Sequence, residues 1–325
     1  MKTSQNKISP LRMLRWLIFL LFFIPVSMKA QMPVFKSDYQ ALVDLYNNTD
    51  GSHWVKNDGW LSGTGEGWFG VSVRNMGDSL RVVSINLPDN NLKGSIPLTI
   101  GNMPQLATLN LGNVDKLLSN NNVISGAIPG NLRKLLNLEI LILSSNNLSG
   151  PIPSWIGDLG SLTQLYLDDN PLGGTIPDEV YDLGYLTELK LGKCGLNGGI
   201  SPNIQNLDSL QILELGDNNL SGSIPSEVWG LRNLTTLNLQ KNYALTGTLP
   251  PEIGNLTQLR FLYLNNNQFD GPIPDAICSL TNLVYLDLSS NGFNGPIPVN
   301  IGNLTRLVYL VLSNNQLDGI IPPGI

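Results

Sequence analysis

From Val82 to the last residue, apolar and polar positions alternate in a pattern that keeps returning: Leu-x-x-Leu-x-Leu-x-x-Asn-x-Leu-x-Gly-x-Ile-Pro. Its first positions are Val82, Leu106, Leu138, Leu162, Leu186, Leu210, Leu234, Leu259, Leu283 and Leu307, with spacings of 24, 32, 24, 24, 24, 24, 25, 24 and 24 residues. Within each copy the Leu-x-Leu segment has a period of two. That predicts a short strand with leucines inward and the intervening side chains in solvent. The stretch after Ile-Pro, such as residues 252–256, is too short for a long helix and predicts a turn or two of 3-10 or α-helix. One copy cannot bury its own leucines, but stacked copies bury them against each other. The pattern therefore predicts a solenoid.

The other fixed positions have their own reasons. Asparagine at the ninth position (Asn90, Asn122, Asn146, Asn170, Asn218, Asn242, Asn267, Asn291 and Asn315) both donates and accepts, so it can satisfy backbone groups where the strand ends. The fifth copy has Cys194 there, expected to be a buried, inert thiol too far from Cys278 for a bridge. Glycine at the thirteenth position, from Gly94 to Gly319, permits a tight bend and close approach of neighbouring coils.

This register is identified as the leucine-rich repeat, and its Leu-x-Gly-x-Ile-Pro tail resembles the plant-specific subclass. The resemblance implies an α/β leucine-rich repeat solenoid of about ten repeats over residues 82–325, a parallel sheet on the concave side, short helical turns on the convex side, and ligand recognition as the activity. Residues 31–81 break the pattern and are expected to cap the open end. Ser37 or Asp38 would start a helix whose Tyr39, Leu42, Val43 and Tyr46 share a face, followed by a plug of Trp54, Trp60, Trp68 and Phe69. The segment is similar to the N-terminal cap of plant-type ectodomains, with Trp68-Phe-Gly-Val71 as its Trp-x-Gly-Val element. Those caps hold paired cysteines and this one has none, which favours a bacterial or other microbial relative. The chain stops at Ile325, directly after the Pro322-Pro323 of the tenth repeat, as a fragment of a longer protein would.

Residues 1–30 carry Lys2, Lys7, Arg12, Arg15 and Lys29, no acidic residue, and the apolar run Trp16–Val26. That run has signal-peptide length and falls short of the roughly 20 residues that span a bilayer. Cleavage after Ala30 is expected, leaving 14 basic and 25 acidic side chains and a secreted or cell-surface protein without a membrane span of its own. Across all 325 residues only 14% are charged, with a net charge of −6, which argues against nucleic acid. One histidine and two cysteines cannot build a usual zinc site or a disulfide framework. No nucleophile or phosphate-loop motif is present. No catalysis, cofactor or resident metal is expected.

Binding residues are read from the solvent-facing strand positions, which span roughly 45–50 Å at about 4.8 Å per strand. That length suits a protein or peptide ligand. Phe261, Tyr263, Tyr285, Tyr309 and Val311 fall on three adjacent repeats and should form one aromatic patch. Such a patch is either a binding hot spot or a set of rings that favour strand and pack on one another. Tyr166, Asp168 and Asp169, beside Glu188 and Glu214, form a second candidate: a seat for a basic ligand, a calcium site, or solvated acidic surface. Asp168 and Asp169, adjacent in sequence, are expected on different faces. The eight-residue insertion within residues 112–119 is a third candidate, as a recognition loop or a tolerated surface insertion. The readings that remain are an exported binding protein, the ectodomain of a receptor-like protein or receptor kinase, an adhesion or structural spacer, and a secreted enzyme inhibitor. The oligomeric state is not specified by these features.

Overall fold

The computed structural model describes residues 33–114 and 119–325. The expected signal segment, and residues 115–118 of the insertion, lie outside the described residues. Among those described, the repeat coils stack into a sheet of 11 strands. Its first two strands, Val71–Asn75 and Leu80–Asn86, are antiparallel, and from Leu80–Asn86 onward every pair is parallel. The remaining strands are Thr108–Asn110, Ile140–Ile142, Gln164–Tyr166, Glu188–Lys190, Ile212–Glu214, Thr236–Asn238, Phe261–Tyr263, Tyr285–Asp287 and Tyr309–Val311. Leucines align with leucines across each pair, as Leu189, Leu213, Leu237 and Leu262 do. The convex side is built of 3-10 turns such as Ser154–Asp158 and Pro251–Asn255, so the α/β leucine-rich repeat solenoid read from the spacing is the fold observed.

The ninth-position asparagines tie successive coils together. Asn218 Oδ1 accepts from the Cys194 and Leu196 amides at 2.9 and 3.0 Å. Its Nδ2 donates to Leu191 O in the previous coil and Leu215 O in its own, at 2.8 and 2.9 Å. Cys194 does both more weakly: its thiol reaches Leu167 O and Gly192 O at 3.3 and 3.4 Å, and its sulfur accepts from the Asn170 amide of the coil before it. With no carboxamide oxygen there, the Leu172 amide turns to Asn170 O of its own coil. Burial pushes the Cys194 thiol up to about 12, which makes it inert as expected, and both cysteines are free.

A second sheet that the pattern does not announce runs along one flank. Six of its strands lie between Asn197–Gly198 and Gln316–Asp318, and three more lie between Lys93–Gly94 and Asn147–Leu148. The thirteenth-position glycines lie within or beside these strands at positive φ, where a side chain is strained. At Gly94 a Cβ would also stand 1.9 Å from Asn48 O. Between the two parts, where Pro171 lacks an amide, pairing shrinks to the Thr175–Asn197 bridge and the Gly173 amide donating to Cys194 O at 2.8 Å.

The N-terminal end departs from the expected capping. The helix spans Lys36–Asn48 and receives no side-chain cap. Asp38 lies inside it, fully buried, and accepts from Arg81 Nε and Nη2 at 2.9 Å each and from the Val82 amide at 3.0 Å. The burial of Asp38, Ala41, Leu42 and Leu45 centres the helix's inner face one residue away from the predicted one, with Tyr39, Val43 and Tyr46 packed at its margins. Aspartate is normally excluded from a core, which favours a capping role at a helix start; the pairing with Arg81 is what admits Asp38 to the interior. Trp54, Trp60 and Trp68 are buried and in ring contact, and their indole N–H groups donate to Thr49 O, Phe69 O and Ser62 O. Phe69 is half-buried beneath Lys56.

Removing one partner of a buried ion pair costs about 3–5 kcal/mol. Asp38→Ala is therefore expected to lower the unfolding free energy by about that amount in urea titrations. A loss below about 1 kcal/mol would show that the helix is held by its apolar face alone.

Candidate functional site

Parallel pairing places every outward side chain in one of two columns. The first holds Gln164, Glu188, Ile212, Thr236, Phe261, Tyr285 and Tyr309, and the second Tyr166, Lys190, Glu214, Asn238, Tyr263, Asp287 and Val311. Phe261, Tyr263, Tyr285 and Tyr309 thus come together over the last three concave strands. The Tyr263 and Tyr285 rings lie 4.9 Å apart at 37°, and Tyr285 and Tyr309 lie 5.2 Å apart at 40°. The rings do pack on one another, and the patch remains open to solvent, most of all at Tyr309, which is 57% exposed. Arg260 lies 5.5 Å from the centre of the Phe261 ring. Burial, then Tyr285, Glu214 and Asp287, hold the Tyr263 hydroxyl above its ordinary range, so it is neutral at pH 7.

The second group of predicted residues is assembled around Glu188. Its carboxylate accepts from the Tyr166 hydroxyl and from Gln164 Nε2, the latter at 3.2 Å, and Lys190 Nζ is 3.9 Å away. Lys190 also sits 4.4 Å over the Tyr166 ring. Burial and these carboxylate neighbours push the Tyr166 phenol upward, so Tyr166 is a neutral donor. Asp168 accepts from Ser144 Oγ at 2.5 Å. Asp168 and Asp169 both line one cleft, and Asp169, in a left-handed turn at φ 59°, also lines a neighbouring hollow with Asn121, Asn122 and Ser145 that Asp168 does not reach. Among the described residues no group of three or more His, Cys, Asp or Glu is arranged to hold a metal ion.

That cleft, of about 370 Å³, was not read from the sequence. It opens at the ends of the concave strands because the seventh repeat position is glycine in two successive coils, Gly192 and Gly216. Neighbouring coils carry Asp168 and Gln240 there. The signal was present as two consecutive departures, but glycine at a strand end reads first as a turn. Glu214 lines the cleft and joins it to the tyrosines. Burial raises its carboxyl above the usual range, with Lys190 opposing and Asp168 and Glu188 reinforcing the rise. The base of the insertion is anchored beside it: Asn113 is buried, donates to Asn122 O at 2.9 Å and Ser145 O, and accepts from the Asn122 amide.

A raised acid in the folded chain weakens the fold where the group is ionised, above its folded value, and this penalty fades as pH falls through that value toward the ordinary one. Glu214→Gln is accordingly expected to raise the melting temperature at pH 7, with the gain shrinking as the pH is lowered to about 4. A gain that grows on acidification would show that Glu214 is net stabilised by Lys190.

Leucine-rich repeat family models match residues 116–172 and, in successive units, 209–231, 233–256, 258–280, 282–304 and 306–325. No curated protein matches this sequence. Among solved structures, the chain is 40% identical to the ectodomain of the Arabidopsis thaliana membrane receptor kinase GASSHO1/SCHENGEN3, in complex with CASPARIAN STRIP INTEGRITY FACTOR 2. That match covers 71% of this chain and 27% of that one, with a TM-score of 0.67. It is 32% identical to the Arabidopsis receptor kinase HAESA, in complex with the peptide hormone IDA and a co-receptor, over 89% of this chain and 51% of that one at a TM-score of 0.72. A plant ice-binding protein is 29% identical over 90% of both chains, with a TM-score of 0.76. The chain thus spans between about a quarter and a half of the two receptor chains. By its repeat models, its coil geometry and these likenesses, the chain belongs to the plant-type leucine-rich repeat family.

Proposed function

We propose that this protein is an exported, non-catalytic binding protein that takes a protein or peptide ligand on its concave face. The observation that carries the reading is the contiguous, solvent-facing stack of Phe261, Tyr263, Tyr285 and Tyr309. Aromatic side chains held rigidly on a sheet lose little conformational freedom on contact and are enriched at binding hot spots. The ligand-bound receptor ectodomains that this chain resembles support the same reading, whether the solenoid acts as a secreted protein or as the outer part of a membrane receptor. Tyr166, Asp168 and Asp169 supply the second, polar contact. The signal-like residues 1–30 support secretion or cell-surface display. Among the described residues no helix is long and apolar enough to cross a membrane.

Tyr263→Ala and Tyr285→Ala are expected to change stability by no more than about 1 kcal/mol, the scale of cross-strand pairs, while reducing capture of ligand from extracellular fractions by the immobilised protein. Intact capture with a large loss of stability would mark the stack as packing only and favour a spacer role.

A second reading is favoured by the flank sheet together with the plant ice-binding relative of similar length. Two adjacent strands of it carry short uncharged residues, Ser221 and Ser223 beside Ala244, Thr246 and Thr248. Ice binding there would give thermal hysteresis in the wild type that Thr246→Lys abolishes; a wild type without hysteresis ends this reading.

A further inference from the structure

The cleft and the tyrosine stack lie on one line of travel across the concave strands. Glu214 ends the strand Ile212–Glu214, and Tyr263 lies in the same column two strands on, in Phe261–Tyr263. At about 4.8 Å per strand the two are about 10 Å apart, and Tyr309, four strands from Glu214, is about 19 Å away. Asn238 lies between Glu214 and Tyr263, and it also lines the cleft. The two features are built differently. The cleft exists because Gly192 and Gly216 withhold side chains, and it is tight: a Cβ at Gly216 would stand 2.7 Å from Asn238 Oδ1 and 3.0 Å from Gln240 Cγ. Its volume of about 370 Å³ is at the small end of ligand pockets, enough for one long side chain and too small for a folded domain.

The charges around the cleft set its preference. Among the described residues, Asp168, Glu214 and Asp217 line it against a single base, Lys193. Lys241 reaches Asp217 at 3.1 Å, and Lys190 is engaged with Glu188 and the Tyr166 ring. The potential left over is negative, the complement of a guanidinium or ammonium group. The stack offers the opposite chemistry: neutral rings and Val311.

We propose that the concave face holds one extended peptide carrying a basic side chain about three to six residues from an aromatic or aliphatic one, at about 3.3 Å per residue. The base enters the cleft over Gly192 and Gly216, and the apolar group lies against Phe261, Tyr263, Tyr285 and Tyr309. This rests on the concave face being the binding face. It adds the chemistry and the spacing of what binds there. Half-burial of Glu214 strengthens the cleft's selectivity, because a cation arriving beside a poorly hydrated carboxylate recovers solvation that the fold withheld.

The test is isothermal titration of the full chain with synthetic peptides carrying one Arg and one Trp, separated by about one to eight Gly or Ser residues, in both orders. A matched set has citrulline, the neutral isostere, for Arg. Tightest binding is expected at about two to five intervening residues. Citrulline is expected to weaken it about fivefold or more. Glu214→Gln is expected to weaken the Arg peptides about three- to tenfold and leave the citrulline peptides unchanged. Tyr285→Ala is expected to weaken both sets. Equal binding of Arg and citrulline peptides, equal effects of Glu214→Gln on both, or no binding by any peptide overturns the proposal. If the charge has no influence but Tyr285→Ala still weakens both sets, the concave face remains the binding face and only the basic requirement is lost. If binding occurs and Tyr285→Ala changes neither set, the concave-face reading fails with it.

Discussion

Each coil of this solenoid must reverse direction inside a core that excludes water, and the reversal leaves amide and carbonyl groups without partners. A buried group left unpaired costs about 1–3 kcal/mol, so ten unattended reversals would exceed the net stability of an ordinary domain. One asparagine in each of nine coils answers this by acting in both directions. Asn242 donates to Leu215 O and Leu239 O, one in each of two coils, and accepts from the Leu220 amide of the coil before it. Since the same carboxamide holds two coils, it fixes their spacing, and through that the pairing of both sheets. The concave columns are a downstream consequence of that bond.

The arrangement is local, because a coil meets only its neighbours. A change in one rung is therefore felt one coil away and no further. Cys194 shows this. Its sulfur accepts more weakly than a carboxamide oxygen, and the flank sheet breaks at the coil before it, where Pro171 has already removed one donor. Asn218, in the next coil, is fully engaged again. The N-terminal end solves a different problem, since its first parallel strand has no preceding coil. An antiparallel strand, three tryptophans with satisfied indole N–H groups and the Asp38–Arg81 pair replace the missing neighbour.

Legibility in the sequence followed the strength of the local constraint. The inward leucines, the strand positions and both outward columns could be read because a period of 24 leaves no freedom in register once the leucines are placed. The flank sheet could not be read in the same way, since its central glycines signal only a backbone that L-residues avoid, and a turn and a twisted strand both satisfy that signal. Asp38 was misplaced because its partner is 43 positions away, and nothing near it in sequence distinguishes a cap from a buried ion pair. Asp169 marks a third limit: alternation holds only while the strand lasts, and its left-handed turn lies beyond the strand's end.

The candidate site occupies the positions that the fold leaves unconstrained. Outward residues do not touch the leucine core, and Thr, Ile, Glu and Tyr all sit in the same column. The stability of the solenoid therefore does not demand three tyrosines and a phenylalanine on adjacent strands, even though the rings pack well once present. The tyrosine rings meet at a tilt, and the patch stays partly exposed, most of all at Tyr309. A partner gains an already ordered apolar surface, and the entropy of fixing those rings was spent during folding. Two glycines act in the opposite sense at the cleft, by removing bulk at the position where neighbouring coils carry Asp168 and Gln240. Filled positions and emptied positions thus shape the same face, and the polar strand Thr236–Asn238 between them separates an apolar contact from a charged one by a distance that an extended chain can match.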